Sequence, residues 1–213
     1  MSIADIRTQY SQKQLMETEA LPNAIDQFRQ WWDEAILSEL TEVNAMTLAT
    51  ASADGTPDAR FVLLKDFSSE GFTFFTNYES RKGKELAENP KACLVFFWKE
   101  LERQVRITGT VSKISKEESE AYFFSRPVGS QLGAWASRQS SLLTNREELE
   151  QRLTALEAEA KAGKKIEKPH YWGGYMVKPQ TIEFWQGRPN RLHDRLQYTL
   201  KDKDNWLIER LSP

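Results

Sequence analysis

The spacing of apolar residues changes period along the chain, and each change marks an element. In LPNAIDQFRQWWDEAI, Phe28, Trp31, Trp32, Ala35 and Ile36 recur at three- and four-residue intervals, which predicts an amphipathic helix. Asn23 is placed to cap it and Asp26 suits its first turn. The period then falls to two. AMTLATA and DARFVLLKD predict antiparallel strands that reverse at Asp54-Gly55, and GFTFFTN predicts a short third strand. SRKGKELAENP predicts a short helix closed by Asn89-Pro90, and ACLVFFW and RQVRITGTVSKI predict two longer strands. KEESEAYFFSR is helical up to Arg126, because Pro127 disfavours helical geometry in the residue before it. Thr144 to Glu147 matches a capping box, with Leu149, Leu153 and Leu156 as the stripe of the helix that follows. The tail returns to strands at GYMVK, QTIEFWQ, RLHDRLQYTL and WLIERL, the last two separated by the polar turn KDKDN.

Strands joined mostly by turns predict an antiparallel sheet curled into a barrel, mainly β with appended helices (α+β), in a single domain over residues 1–213. A parallel dinucleotide fold is disfavoured, since no GxGxxG follows a strand and no GxxxxGK[ST] occurs. Phosphate recognition would therefore fall to side chains. A composition 39% hydrophobic and 11% aromatic supplies a sizeable core. The net charge of −2 argues against nucleic acid or an anionic membrane as partner, so a cationic cluster would be aimed at a small anion. Neither a signal-peptide-like apolar run nor a span of the ~20 residues a membrane helix needs is present, and a cytoplasmic location is expected. The single cysteine, Cys93, excludes an intramolecular disulfide and reads as a small core residue within ACLVFFW. With only His170 and His193 as histidines, no metal site is expected.

Several clusters carry candidate chemistry. If the chain is extended from Arg191, then Arg191, His193 and Arg195 share one strand face while Leu192, Asp194 and Leu196 share the other. That cationic face either lines a cleft or guards a solvated edge against aggregation. Arg60 and Lys65 bracket an apolar strand and face opposite ways unless it is bulged. Arg81 and Lys82 open a helix, where acids would be favoured, so either an anion completes that site or the turn is merely solvated. Tyr122 and Arg126 share a helix face with Ser130 just beyond, a set of phosphate donors, although a core tyrosine beside an exposed arginine is the commoner meaning of that pair. Gln104 and Arg106 share a strand face opposite Val105 and Ile107, and Gln139 and Ser140 offer neutral groups suited to a ring edge or a polyol chain. Together the clusters suggest two phosphates: a flat heteroaromatic ligand with one, a second ligand stacked upon it, and Trp185 for packing.

RFVLLK, FTNYESRKGKELAENP, LERQVRITG, YFFSRPVGSQLGAWASRQSS, WGGY and IEFWQGRPNRLHDR together resemble the pyridoxine/pyridoxamine 5′-phosphate oxidase family, from about residue 25 to the end. The resemblance implies an FMN-binding split antiparallel β-barrel, a homodimer, and oxidation of pyridoxamine or pyridoxine 5′-phosphate to pyridoxal 5′-phosphate, with oxygen as acceptor and hydrogen peroxide as product. It assigns FMN to Arg60, Phe61, Val62, Leu63, Leu64, Lys65, Phe75, Thr76, Arg81, Lys82, Gln104, Gln139, Ser140, Trp185 and Arg195. The substrate phosphate falls to Lys65, Tyr122, Arg126 and Ser130, and the catalytic positions over the pyridine ring to Arg191 and His193. Residues 1–20 would form a flexible lid contributing Arg7 and Tyr10, and 175–213 would complete barrel and site. Phe75 departs from the family's common tyrosine, and Phe124 and Gly129 alter the surroundings of the phosphate donors. The alternatives are another FMN split-barrel oxidoreductase and a carrier that holds pyridoxal 5′-phosphate without turnover.

Overall fold

In the computed structural model, which describes residues 2–5 and 9–213, one long strand organises the chain. The elements in order are α1 (Ala24–Leu37), β1 (Ala45–Ala51), β2 (Pro57–Leu63), β3 (Asp66–Ser68), β4 (Gly71–Asn77), α2 (Arg81–Glu88), β5 (Lys91–Trp98), β6 (Arg103–Lys113), α3 (Lys116–Ser125), α4 (Val128–Ala136), α5 (Arg146–Lys161), β7 (Trp172–Gln186), β8 (Asp194–Asp202) and β9 (Asn205–Arg210). They form an antiparallel sheet of order β2-β1-β5-β6-β7-β4-β3, with β8 and β9 attached through β7. Along one edge β7 pairs with β6 over nearly its whole length. Its other edge is divided: the first half pairs with β4 and the second with β8.

GYMVK and QTIEFWQ are thus one strand rather than the two that the pattern predicts. Pro179 lies opposite Gly109, where the β6–β7 register shifts, so the residue without an N–H sits at an irregularity and the ladder resumes beyond it. Gly109 permits the approach, since a Cβ there would run into the Lys178 carbonyl.

The stripe of α1 builds the core. Fully buried Phe28 meets Phe67, Phe72, Phe96 and Trp98, and Trp31 meets Phe184. The stripe stops short of Ile36, which is 52% exposed. Asn23 caps the helix by accepting from the N–H groups of Ile25 and Asp26. Arg126 ends α3 in extended geometry ahead of Pro127, as expected. The chain then re-enters a helix, α4, which the two glycines and small apolar residues of VGSQLGAWA conceal from periodicity. The cap of α5 is Asn145 rather than Thr144: Asn145 accepts from the Glu148 N–H, and the Glu148 carboxylate accepts from the Thr144 N–H. Leu149, Leu153 and Leu156 are only partly covered, leaving α5 without a buried residue.

The sheet has a second, outward face that is not wholly polar. Phe97, Gln104, Trp185 and Arg195 stand in one cross-strand row, and Val95, Arg106, Glu183 and Gln197 in the next. On β2, Phe61 is 81% exposed and Leu63 is exposed beside it. Cys93 belongs to this outward face and is only half-buried, while its neighbours Ala92 and Leu94 supply the core.

Candidate active site

The candidate residues gather at two places. The first is a cleft of about 690 Å³ between β2, β4 and the α3–α4 corner, lined by Phe61, Val62, Leu63, Lys65, Phe75, Thr76, Lys82, Tyr122, Arg126, Ser130 and Gln139 among others. Its floor is a stack of rings: Tyr122 lies 3.9 Å from Phe75 and nearly parallel to Trp172. Phe75 therefore offers a flat face where a tyrosine would add a hydroxyl.

Three cations line this cleft with no ion pair among the described residues, Lys65, Lys82 and Arg126, and the last two are drawn out of water. Lys82, in the first turn of α2, is 8% exposed, and among the described residues its Nζ bonds only to neutral oxygens, Gln139 Oε1 at 3.0 Å and Thr76 Oγ1 at 3.4 Å. Burial, and then the neighbouring Arg60 charge, lower its pKa. Arg126 lies over the Trp172 ring at 4.6 Å and donates through Nη2 to the Ser130 carbonyl, while its buried Nη1 has no partner among the described residues. Burial lowers its pKa too. A cation drawn out of water without a carboxylate, almost wholly for Lys82 and partly for Arg126, carries a desolvation cost that an anion would remove, so the cleft fits two anionic groups, one near each. Lys65 is exposed, with its ammonium 6.0 Å from the Tyr122 ring.

Arg60 and Arg81 are differently placed. Arg60 donates to the carboxylates of Asp58 (2.6 Å) and Glu85 (3.1 Å) and to Thr50 and the Leu48 carbonyl. Arg81 turns back onto the same two carboxylates, Glu85 at 3.0 Å and Asp58 at 3.1 Å. Two arginines and two acids are in balance, and Lys82 next to them carries the uncompensated charge. Asp58 and Glu85 were not singled out by sequence, although both had a signal. Asp58 shares a strand face with Arg60, and Glu85 follows Arg81 by one helical turn. Leu64 departs from its expected role, because its side chain is core and its N–H and C=O are taken by Asn44. Ser140, exposed with φ +69°, adjoins Gln139 in the loop after α4.

The second place is the outward row that holds Gln104, Trp185 and Arg195, with Arg195 Nε donating to Glu183 at 2.9 Å. Here the expected alternation fails before Asp194. Arg191 sits in a 3-10 turn with φ +62°, Leu192 is 68% exposed, and only from Asp194 is the chain a strand. Arg191 and His193 are thus presented by a turn, not by a strand face shared with Arg195. His193 Nδ1 accepts from the Arg188 N–H at 3.1 Å, which leaves the neutral ring's proton on Nε2. Burial, and then Arg191, lower its pKa and favour that neutral form. Its ring lies 4.6 Å from Trp185, and Tyr10 touches both. Arg7 lies outside the described residues.

The two places do not meet within one chain. The strand position paired with Phe75 is Gly174, and Trp185 lies eleven residues further along β7, about 36 Å of strand. None of the residues lining the cleft comes from β6, β8 or the second half of β7.

Known proteins match this chain in sequence and in fold. The family model for pyridoxamine 5′-phosphate oxidase matches residues 32–160, and that for the pyridoxine 5′-phosphate oxidase C-terminal dimerisation region matches residues 172–213. A pyridoxine/pyridoxamine 5′-phosphate oxidase from a Cyanothece species is 59% identical, covering 100% of this chain and 99% of the relative. One from Bordetella petrii is 55% identical, with both chains fully covered. Among solved structures, PhzG from Burkholderia lata, in complex with tetrahydrophenazine-1-carboxylic acid, superposes with a TM-score of 0.86 at 30% identity, covering 93% of this chain and 98% of that one. A pyridoxamine 5′-phosphate oxidase-related, FMN-binding protein from Nostoc punctiforme has the same fold at a TM-score of 0.69 and 17% identity, covering 87% of this chain and 97% of that one. By sequence over its full length and by fold, the chain belongs to the pyridoxamine 5′-phosphate oxidase family.

Proposed function

We propose that the chain is an FMN-dependent oxidase that converts pyridoxamine 5′-phosphate and pyridoxine 5′-phosphate to pyridoxal 5′-phosphate. Oxygen is reduced to hydrogen peroxide; the amine substrate also takes up water and releases ammonia. The observation that carries this reading is the pair of uncompensated cations, Lys82 and Arg126, in one cleft floored by aromatic rings. Each calls for an anion, and the rings between call for flat partners. When bound, FMN supplies the two-electron acceptor.

This chain's residues then bind and orient. Lys82, bonded to Thr76 and Gln139 and with Ser140 next in sequence to Gln139, takes the cofactor phosphate, while Arg60 and Arg81, held by Asp58 and Glu85, add N–H donors beside it. Arg126, Lys65, Tyr122 and Ser130 take the substrate phosphate. His193 offers an Nε2–H donor near neutral pH, and Arg191, exposed on its turn, stabilises negative charge on the ring it faces. Because the outward row cannot reach the cleft of its own chain, the reading includes a homodimer in which each cofactor lies between the cleft of one protomer and the Gln104, Trp185 and Arg195 row of its partner. The match of residues 172–213 to a dimerisation region supports this. The cytoplasmic location expected from the sequence belongs to the same reading.

The direct test is oxygen uptake by FMN-reconstituted protein with each phosphate ester, followed by pyridoxal 5′-phosphate formation. Fully flavinated protein that consumes no oxygen with either ester would leave the carrier alternative standing. Within the site, Arg126→Ala should raise KM about ten- to a hundred-fold, the loss of one charge-assisted hydrogen bond, and leave the bound flavin spectrum unchanged. Release of flavin by Arg126→Ala with KM unaltered would move Arg126 to the other phosphate.

A further inference from the structure

Glu102 joins a 3-10 turn (Lys99–Leu101) to β6 in the left-handed region, φ 54° and ψ 39°, where glutamate is uncommon. Its main chain is clamped to the end of β7: the Gly187 N–H donates to its carbonyl at 2.7 Å and Gln186 Nε2 at 3.2 Å. Its carboxylate is buried, with no cation at ion-pair distance among the described residues. Instead, one oxygen accepts two main-chain N–H groups from the N-terminal segment, Ser11 at 2.8 Å and Gln12 at 3.1 Å. Gln12 Nε2 adds a bond to the Glu100 carbonyl. A buried carboxylate compensated only by main-chain amides fixes those amides in place.

Tyr10, the next residue upstream, is thereby set edge-on to Trp185 and His193, at ring distances of 5.7 and 5.9 Å. Gly187 makes the room. A Cβ there would lie 2.7 Å from Tyr10 Cγ and 3.0 Å from Glu102 Cβ. Its φ lies outside the positive region, so space and not backbone freedom is what glycine provides. Further downstream the segment has fastenings of its own: Leu15 donates to Asp194 and accepts from Arg210, and Arg188 donates to the Lys13 carbonyl. Loss of the Glu102 bonds would free Tyr10 without detaching the segment.

We infer that Glu102 and Gly187 are positioning residues that hold Tyr10 against Trp185 and His193, making residues 10–12 a fixed wall of the active site. The inference rests on the proposed function for that site. In FMN-loaded enzyme, Glu102→Ala should raise KM for the phosphate esters about ten-fold, with kcat changed much less and the flavin spectrum retained. Glu102→Gln keeps an acceptor oxygen and should recover most of the loss, and Gly187→Ala should reproduce it. Tyr10→Ala should raise KM similarly, and Glu102→Ala added to it should cost nothing more, because both act through one ring. In flavin-free protein, the Ser11 and Gln12 amides should exchange hydrogen slowly and lose that protection in Glu102→Ala. Retained protection in Glu102→Ala, an unchanged KM, or full additivity with Tyr10→Ala would each overturn the inference. Inactive wild-type enzyme with Ser11 and Gln12 protected only when Glu102 is present would instead refute the proposed reaction and leave the tether standing.

Discussion

Two inactive variants, Lys82→Ala and Arg195→Leu, should regain activity when their subunits are exchanged in mild urea and refolded together. Lys82 belongs to the cleft and Arg195 to the outward row, and β7 keeps the two apart within one chain. In a hybrid dimer, one site combines both lesions, but the other combines the intact cleft of one protomer with the intact row of its partner. Random pairing makes half the dimers hybrid, so about a quarter of wild-type activity should return. Each variant carried alone through the same treatment should stay inactive. If the mixture recovers nothing while the hybrids form, the cleft and the row serve one chain, and the two-chain site is wrong.

Lys82→Met should change two properties in opposite directions. Burial lowers the Lys82 pKa, so the unfolded chain binds that proton more tightly than the folded one. In the absence of an anion the cost is fully present below the folded pKa. It fades as pH rises from there toward the ordinary value of 10.5. Removing the charge should therefore stabilise the flavin-free protein at neutral pH by on the order of 1 kcal/mol, a rise of a few degrees in Tm. The same substitution removes the unpaired cation from the cofactor phosphate, and FMN affinity should fall about 100-fold. Flavin titration and thermal melts of flavin-free protein read the two effects separately. A variant that is less stable and binds FMN normally would show that Lys82 is a structural residue.

Much of this was legible in the sequence because it is local. The α1 stripe up to Ala35, the Asp54-Gly55 reversal and the helix end before Pro127 depend on neighbours within a few residues, and each stands where the pattern put it. The resemblance brought the site residues forward, but the pattern could not sort them. Trp185, near one end of β7, and Phe75, on β4 opposite its other end, carry no mark of that separation, since it follows from pairings with β4, β6 and β8, which are long-range. The merging of two predicted strands has the same origin: Pro179 ends a strand by local rules and survives here because a glycine on β6 lies opposite it. Arg191 was misread for a different reason. Alternation assumes extended backbone, and Asn190 and Arg191 both take positive φ with no glycine to announce it. Glu102 was invisible because its partners are main-chain amides some 90 residues away, which leave no side-chain signature.

With each proposed site shared between two chains, a reading that the division of β7 between β4 and β8 supports, inheritance becomes sensitive to which chain carries a lesion. Where two alleles are expressed together, a lesion in the cleft and a lesion in the outward row are not equivalent when carried in cis and in trans. On separate chains they leave every hybrid with one working site. On a single chain they silence both sites of any dimer it enters, because its cleft fails one site and its row fails the other. The doubly altered allele is therefore a poison to its normal partner, while each single alteration is only a half-loss.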